Sequence, residues 1–332
     1  MTFDTIKIDK GLYSAVKSFT QSLEEIDPSE NYKGTTLEGL DAYQRQLKRF
    51  DIKVGGANSD AIEKFFVNSD SAALFPEYVS RAVAQGMQEA DLVSKIVATT
   101  TMIDTLDYRT LAPISQGDAA YTVVGEAGEI PETVIKTQDS LVPLNKRGRM
   151  LSASYEAIRK QRLDLFTVTL KQIGAAIAKA QLSDAVAALK GSGSDAITEI
   201  TTAASGEITY ADLVDFWNQF APYNLTTILA SPDMLSKLLK LPEFREAYTG
   251  LDFHSTGKLV TPFGAELYRV DDLEEGTLIG LDKSCALERV QSGTVCTEFD
   301  KLINRQLERA AITSVTGFSK IYSDASKCLK IG

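Results

Sequence analysis

The sequence predicts an α+β fold, and three observations support that class. A long apolar stripe between Asp164 and Leu189 recurs at helical spacing and predicts one helix of about seven turns. Residues 119–154 form two strand-like arms around a polar middle that contains glycine and proline. From Thr209 to Leu281, helical patterns alternate with short apolar runs, which is typical of helices packed on a small sheet.

The composition is that of an acidic globular protein. Hydrophobic residues make up 44% of the 332 residues, which is enough for one large or two modest cores. The 45 acidic side chains outnumber the 35 basic ones, and the net charge of −10 disfavours tight binding to nucleic acid. No run of about 18 apolar residues is present, so we expect no membrane partner. Three cysteines without CxxC spacing, Cys285, Cys296 and Cys328, are expected to be reduced and to hold no metal.

The front section, residues 1–70, contains one clear amphipathic pattern. Apolar residues at spacings of three and four predict a one-faced helix, whose stripe must cover either this subunit or a neighbour: Leu37, Leu40, Tyr43, Leu47 and Phe50. The pattern stops before Gly55 and Gly56, which are predicted to form a hinge. A basic run in the same stretch is predicted to be a solvated helix face: Arg45, Lys48, Arg49 and Lys53.

From Ser71 onward the pattern is that of a folded core. A helix with proline at its entry is predicted, with Val79, Val83 and Met87 on one face, followed by a β-branched run. In the long helix that comes later, Asp164 is predicted to cap the N-terminus and Gly191 to end the helix.

The second half of the chain is predicted as a mixed layer with a β-rich tail. Helices are expected over Tyr210–Phe220 and from Pro232, and strands over Leu225–Ala230, Ala265–Val270 and Thr277–Leu281. In the tail, two strands are predicted to join at Ser292–Gly293, a register that would place Arg289, not Cys285, opposite Cys296. A long strand is then expected to end the chain.

Residues suited to catalysis are scarce. The single histidine, His254, cannot build an imidazole metal site or support a catalytic triad without partners. The glycine-rich stretch at Gly191–Gly193 follows a helix instead of preceding one, so the wrong dipole end would face a phosphate. We therefore expect no enzyme activity, and no catalytic, cofactor-binding or metal-binding residue.

The order of these parts resembles that of the tailed-bacteriophage major capsid proteins of the Hong Kong 97 type. The phrases LFPEYVSRAV, VVGEAGEIPET and INRQLERAAITSVTGFSKI carry the resemblance, which spans about Ser71 to Ile331. It implies an N-terminal arm, an extended β-hairpin loop, a peripheral domain with a long spine helix, and an axial domain. The implied boundaries are 1–70 for the arm, 71–118 and 155–208 for the peripheral domain, 119–154 for the extended loop, 209–284 for the axial domain, 285–316 for a hairpin returning to the peripheral domain, and 317–332 for a closing axial strand.

The resemblance also implies partners and contact residues. The expected partners are further copies of the chain in pentamers and hexamers, a portal, possible scaffolding, protease or decoration proteins, and enclosed DNA held weakly, in a virion assembled in the host bacterial cytoplasm. The loop contacts would be Val124, Glu126, Glu129, Ile130, Val134, Lys136, Lys146, Arg147 and Arg149. The peripheral contacts would be Asn304, Arg305 and Arg309, and the arm contacts Leu40, Tyr43, Leu47 and Phe50.

Two other functions remain open from the sequence. An encapsulin, a nanocompartment shell of the same fold, is disfavoured by the long section before Ser71. An enzyme built on an α/β domain would need polar residues converging at strand ends, and the sequence supplies only scattered ones, such as Asp233 and the pair Asp271–Asp272.

Overall fold

The computed structural model divides into two compact units. It describes residues 3–8, 10–13, 19–105, 107–111, 123, 125–126, 137–138, 141–154, 160–245, 261, 263–302 and 307–332. The first unit comprises Met1–Asp91, Lys146–Lys179 and Thr294–Ser314, and the second comprises Leu92–Asn145, Ala180–Gly293 and Val315–Gly332. Residues 1–70, expected as a separate arm, thus share a unit with the helices that follow them.

Helices and strands are both well represented among the described residues, as the α+β prediction requires. The helices are α1 (Phe19–Ile26), α2 (Ala42–Arg49), α3 (Ser69–Ala72), α4 (Phe75–Glu89), α5 (Leu163–Lys190), α6 (Tyr210–Asn218), α7 (Pro232–Lys240) and α8 (Pro242–Arg245). The strands are β1 (Thr99–Ile103), β2 (Leu144–Ser154), β3 (Thr198–Thr201), β4 (Thr227–Ala230), β5 (Glu266–Arg269), β6 (Thr277–Leu281), β7 (Leu287–Leu302), β8 (Leu307–Lys320) and β9 (Ser326–Lys330).

These strands form two sheets. The four-stranded sheet has the order β1-β7-β8-β2, and the five-stranded sheet has the order β3-β9-β6-β4-β5. In the five-stranded sheet β6 runs antiparallel to β4 and β9, while β4 is parallel to β5 and β3 is parallel to β9. All residues of β4 and β6 are buried, which explains why their sequences are continuous apolar runs instead of alternating ones.

In the first unit, α4 and the first part of α5 pack closely through two glycines. A Cβ at Gly86 would lie 2.2 Å from the backbone oxygen of Lys171, and a Cβ at Gly174 would lie 2.1 Å from that of Val83. Only glycine permits this approach, because any side chain would push the two helix backbones apart. Phe75 and Tyr78 of α4 then reach Phe166 of α5 and form a continuous aromatic cluster.

The N-terminal section completes the core of the first unit. Phe19, Leu23, Tyr43 and Leu47 are buried in the same hydrophobic cluster as Val79 and the apolar face of α5. Helix α2 begins at a capping box in which Asp41 accepts from the backbone N–H of Gln44 and the Gln44 side chain accepts from the backbone N–H of Asp41. The predicted helix from Leu37 was therefore too long at its start, because Asp41 is the better N-cap.

The predicted solvated basic face was wrong for two of its four residues, whereas Lys48 and Lys53 are exposed as predicted. Arg45 is 0% exposed, and its guanidinium donates to Asp27, Ser29 and the backbone oxygen of Leu40. Arg49 donates to the backbone oxygen of Ile6 at 2.7 Å. Both side chains therefore link segments of the N-terminal section to one another. The sequence pattern could not predict this, because the acceptors belong to other segments of the chain.

The second unit contains two hydrophobic clusters. One surrounds Leu189, Ile279 and Leu287, and the other lies where α6 and α7 cover β4 and β6, around Phe216 and Met234. Helix α7 begins with Pro232 in its first turn, as predicted.

The tail differs from its prediction at one point. Ser292–Gly293 is not a hairpin turn, because β7 continues through it and pairs in parallel with β1 up to Ser292. Gly293 has φ +67°, a conformation that glycine tolerates within an otherwise continuous strand. The predicted pairing of Arg289 opposite Cys296 is therefore also wrong, because both residues lie on the same strand. The three cysteines are free.

The long helix is confirmed, with one correction at its start. α5 spans Leu163–Lys190, and Gly191 follows it with φ +61°. Asp164 lies inside the first turn instead of preceding the helix. Its carboxylate accepts from the backbone N–H of Leu165, and its negative charge interacts favourably with the positive end of the helix dipole.

Candidate assembly surfaces

Backbone hydrogen bonds close the root of the excursion that is predicted to be the contact loop. Leu111 and Thr137 form an isolated antiparallel bridge. The N–H of Gln138 donates to the backbone oxygen of Thr110 at 2.8 Å, and that of Val142 donates to Tyr108 at 2.9 Å. The chain therefore returns next to the point from which it left.

Strand β2 follows this root along the chain, and it carries three of the predicted contact residues. Lys146, Arg147 and Arg149 are all exposed. Among the described strands β2 lies at the edge of its sheet, next to β8. Gly148 packs directly on β8, since a Cβ there would lie 2.5 Å from the backbone oxygen of Ile312. The three exposed cations make this strand edge complementary in charge to an acidic surface.

The remaining predicted loop contacts are only partly described. Glu126 is exposed, and so is Val123, three residues earlier in the chain. The other predicted loop contacts, Val124, Glu129, Ile130, Val134 and Lys136, lie outside the described residues.

Of the three predicted peripheral contacts, only Arg309 is among the described residues. Arg309 is half-buried on β8. Asn304 and Arg305 lie outside the described residues, as does His254. The role of Arg309 in contacts between subunits remains a prediction.

Two of the predicted arm contacts require correction. Tyr43 is 3% exposed and Leu47 is 7% exposed, and both are part of the protein's own core. Their apolar surface is already covered, so it is not available to a neighbouring subunit. Leu40 and Phe50 are partly exposed and remain predicted contacts.

Exposed apolar side chains on the first unit were missed by the sequence analysis. Leu165 and Val168 are 59% and 55% exposed on α5, and Met150 is 60% exposed on β2. The available signal was their position: Leu165 and Val168 fall beside the buried stripe of α5 instead of on it. Their apolar surface is left uncovered by the described part of the chain.

Two ionisable groups with perturbed pKa values donate hydrogen bonds to backbone oxygens in the interior. Burial raises the pKa of Tyr78 to about 12, and its hydroxyl donates to the backbone oxygen of Leu163. Burial also lowers the pKa of Lys320, whose ammonium donates to the backbone oxygen of Asp195 at 2.6 Å. Within the described ranges, no three His, Cys, Asp or Glu residues are grouped so that they could hold a metal ion. No described helix is long and apolar enough to cross a membrane.

Comparison with known proteins points to one class. Residues 137–290 match the family described as phage capsid protein. No curated protein sequence matches the chain.

Solved structures of low sequence identity share the fold. A virus-like particle from Pyrococcus furiosus is similar with a TM-score of 0.53 at 12% identity, covering 76% of this chain and 98% of that one. The capsid of a native GTA particle has a TM-score of 0.53 at 12% identity, with 76% and 90% of the two chains covered. The capsid of the cyanophage P-SCSP1u has a TM-score of 0.50 at 13% identity, with 73% and 88% covered.

The fold is thus that of the Hong Kong 97-type capsid proteins. The family match lies within this fold, so over residues 137–290 the chain is similar to phage capsid proteins.

Proposed function

We infer that this chain is the major capsid protein of a tailed bacteriophage, and that copies of it assemble into the icosahedral head shell around the double-stranded DNA genome. The observation that carries this inference is the match of residues 137–290 to phage capsid proteins within a chain that has the capsid fold. Its role is structural, and its activity is self-association into capsomers.

The extended loop is proposed as the main contact between neighbouring subunits. Backbone hydrogen bonds close its root, the strand β2 that follows presents Lys146, Arg147 and Arg149, and Val123 is fully exposed. Burial of such apolar groups on a second copy would supply the drive for association, and the charges would set its register. A closed symmetric ring repeats each modest contact around the capsomer.

Other partners follow from the proposed role. We propose pentamers and hexamers of this chain, a portal at one vertex, and scaffolding, protease or decoration proteins as accessory partners, with assembly in the host bacterial cytoplasm. The net charge of −10 supports weak and non-specific contact with the packaged DNA, since a strongly basic wall would bind its contents.

Electron microscopy of the purified protein tests the proposal directly. We expect closed shells of uniform diameter, with pentamers and hexamers visible in averaged images. Sedimentation across protein concentration and salt provides the second measurement. A chain that stays monomeric under all these conditions would contradict a role as a shell protein.

An encapsulin-type nanocompartment is the second candidate function, favoured by the similarity to the Pyrococcus furiosus virus-like particle. It predicts a small uniform shell that copurifies with a protein cargo. The phage proposal predicts a larger head with a portal. Particle diameter and mass spectrometry of the contents separate the two.

A further inference from the structure

Strand β7 carries a buried carboxylate that the assembly proposal does not use. Glu288 is 5% exposed. One carboxylate oxygen accepts from the hydroxyls of Thr101 at 2.5 Å and Tyr108 at 2.9 Å, and the other accepts from the hydroxyl of Thr110. Within the described part of the chain, no basic side chain forms an ion pair with it.

These three hydroxyls lie on the segment that leads into the excursion. Thr101 is in β1, while Tyr108 and Thr110 come directly before Leu111, where the described root begins. The backbone oxygens of Tyr108 and Thr110 also accept from the returning residues Val142 and Gln138. The same two residues therefore contact the carboxylate through their side chains and the returning arm through their backbones.

The chemistry of the cluster makes its geometry specific. An ionised carboxylate can only accept, so all three hydroxyls must donate to it. A buried charge without a cation is costly, and these donors are what stabilises it. Because each hydroxyl has one proton, the three side chains are committed to one orientation, and the backbone that carries them is held with them.

We propose that Glu288 is a positioning residue for the extended loop: by holding Thr101, Tyr108 and Thr110, it fixes the root of the excursion and hence the direction in which the loop leaves the subunit toward its neighbour. This inference rests on the proposed function of the loop as an inter-subunit contact. The carboxylate acts through the root and does not itself touch another copy.

Hydrogen exchange of the full-length chain tests the positioning role. In Glu288→Ala, the amide protons of Gln138 and Val142 are expected to exchange at least about tenfold faster, because the hydroxyls that hold the root lose their acceptor. Glu288→Gln keeps one carbonyl acceptor and should give an intermediate rate. Amides of β4 and β6 serve as internal references and should be unchanged.

Matched variants keep the result interpretable. Glu298→Gln changes an exposed carboxyl on the same strand and should leave root exchange at the wild-type rate. If Glu288→Ala does not fold, Thr110→Val removes one donor while preserving shape and should accelerate exchange at Gln138. Unchanged exchange at the root in both Glu288→Ala and Thr110→Val would overturn the proposal.

Shell yield by electron microscopy gives the second readout. We expect Glu288→Ala to form fewer closed shells than wild type, with partial recovery in Glu288→Gln. Loosened root exchange together with normal shell yield would refute the proposed link to assembly. If the wild-type chain itself forms no shells, the proposed function fails, and the exchange measurement still decides whether Glu288 holds the root.

Discussion

Arg45 shows how much one side chain contributes to the first unit. Its Nε lies 3.0 Å from Asp27, which is 1% exposed, and its guanidinium stacks over the ring of Tyr32 at 4.4 Å. A buried ion pair is costly to break, because removal of one partner leaves the other charged and out of water.

We predict that Arg45→Met destabilises the first unit by about 3–5 kcal/mol through the uncompensated Asp27 carboxylate. Lys48→Met, an exposed change on the same helix, should alter stability by less than about 0.5 kcal/mol. Urea unfolding of both variants provides the measurement. Equal midpoints for the two variants would contradict a central role for Arg45.

The cysteines are predicted to differ strongly in reactivity. Cys296 is exposed, whereas Cys328 is buried in β9, and burial raises the pKa of the Cys328 thiol to about 11. Since the thiolate is the reactive form, iodoacetamide at pH 8 should label Cys296 in the native subunit and leave Cys328 unlabelled until unfolding. Peptide mass spectrometry over a time course would show this order, and equal labelling rates would exclude it.

Among the elements, the contact between α4 and α5 depends most sharply on residue type. The closest approach occurs at Gly86 and Gly174, where neither position has room for a methyl group. This contact sets the distance between the two helices, and with it the packing of Phe75, Tyr78 and Phe166.

We predict that Gly86→Ala and Gly174→Ala each destabilise the first unit by about 1–3 kcal/mol through overpacking. This is the reverse of the gain of about 1 kcal/mol that alanine brings to an unconstrained helix. Gly55→Ala is the control, because a Cβ there meets nothing within 4 Å, and it should be neutral or slightly stabilising. Thermal unfolding of the three variants would refute the helix contact if all three behave alike.

At the scale of the whole molecule, folding and assembly are expected to be separable. The root at Leu111 and Thr137 closes the excursion on itself, so a short Gly-Ser linker in place of residues 112–136 leaves the described cores untouched. We predict a folded, monodisperse subunit that forms no shells. Circular dichroism and electron microscopy check the two halves of this prediction, and intact shells from the shortened chain would refute the role of the loop.

Several elements could be predicted from sequence because their signals are local. The stripe of α5 repeats at 3.6 residues, and Gly191 can adopt the positive φ that ends the helix. Pro232 has no N–H to lose in the first turn of α7. β6 is apolar on both faces because both faces are buried. The order of these elements was enough to indicate the capsid fold.

Other features were decided only when distant segments came together. Tyr43 and Leu47 are apolar whether a neighbour or their own core covers them, and only the packing shows which. Ser292–Gly293 has the composition of a turn, but the hydrogen bonds that β1 offers keep β7 extended.

The sequence by itself determined the helix and strand periodicities and the class of fold. The tertiary structure decided which polar groups are buried and with which partners. Arg45 binds Asp27 at a sequence separation of 18 residues, and Glu288 accepts from Thr101 at a separation of 187. The physical reason is that periodicity records only which face of an element avoids water. The partners of buried polar side chains lie far away in sequence, so no local periodicity can predict them.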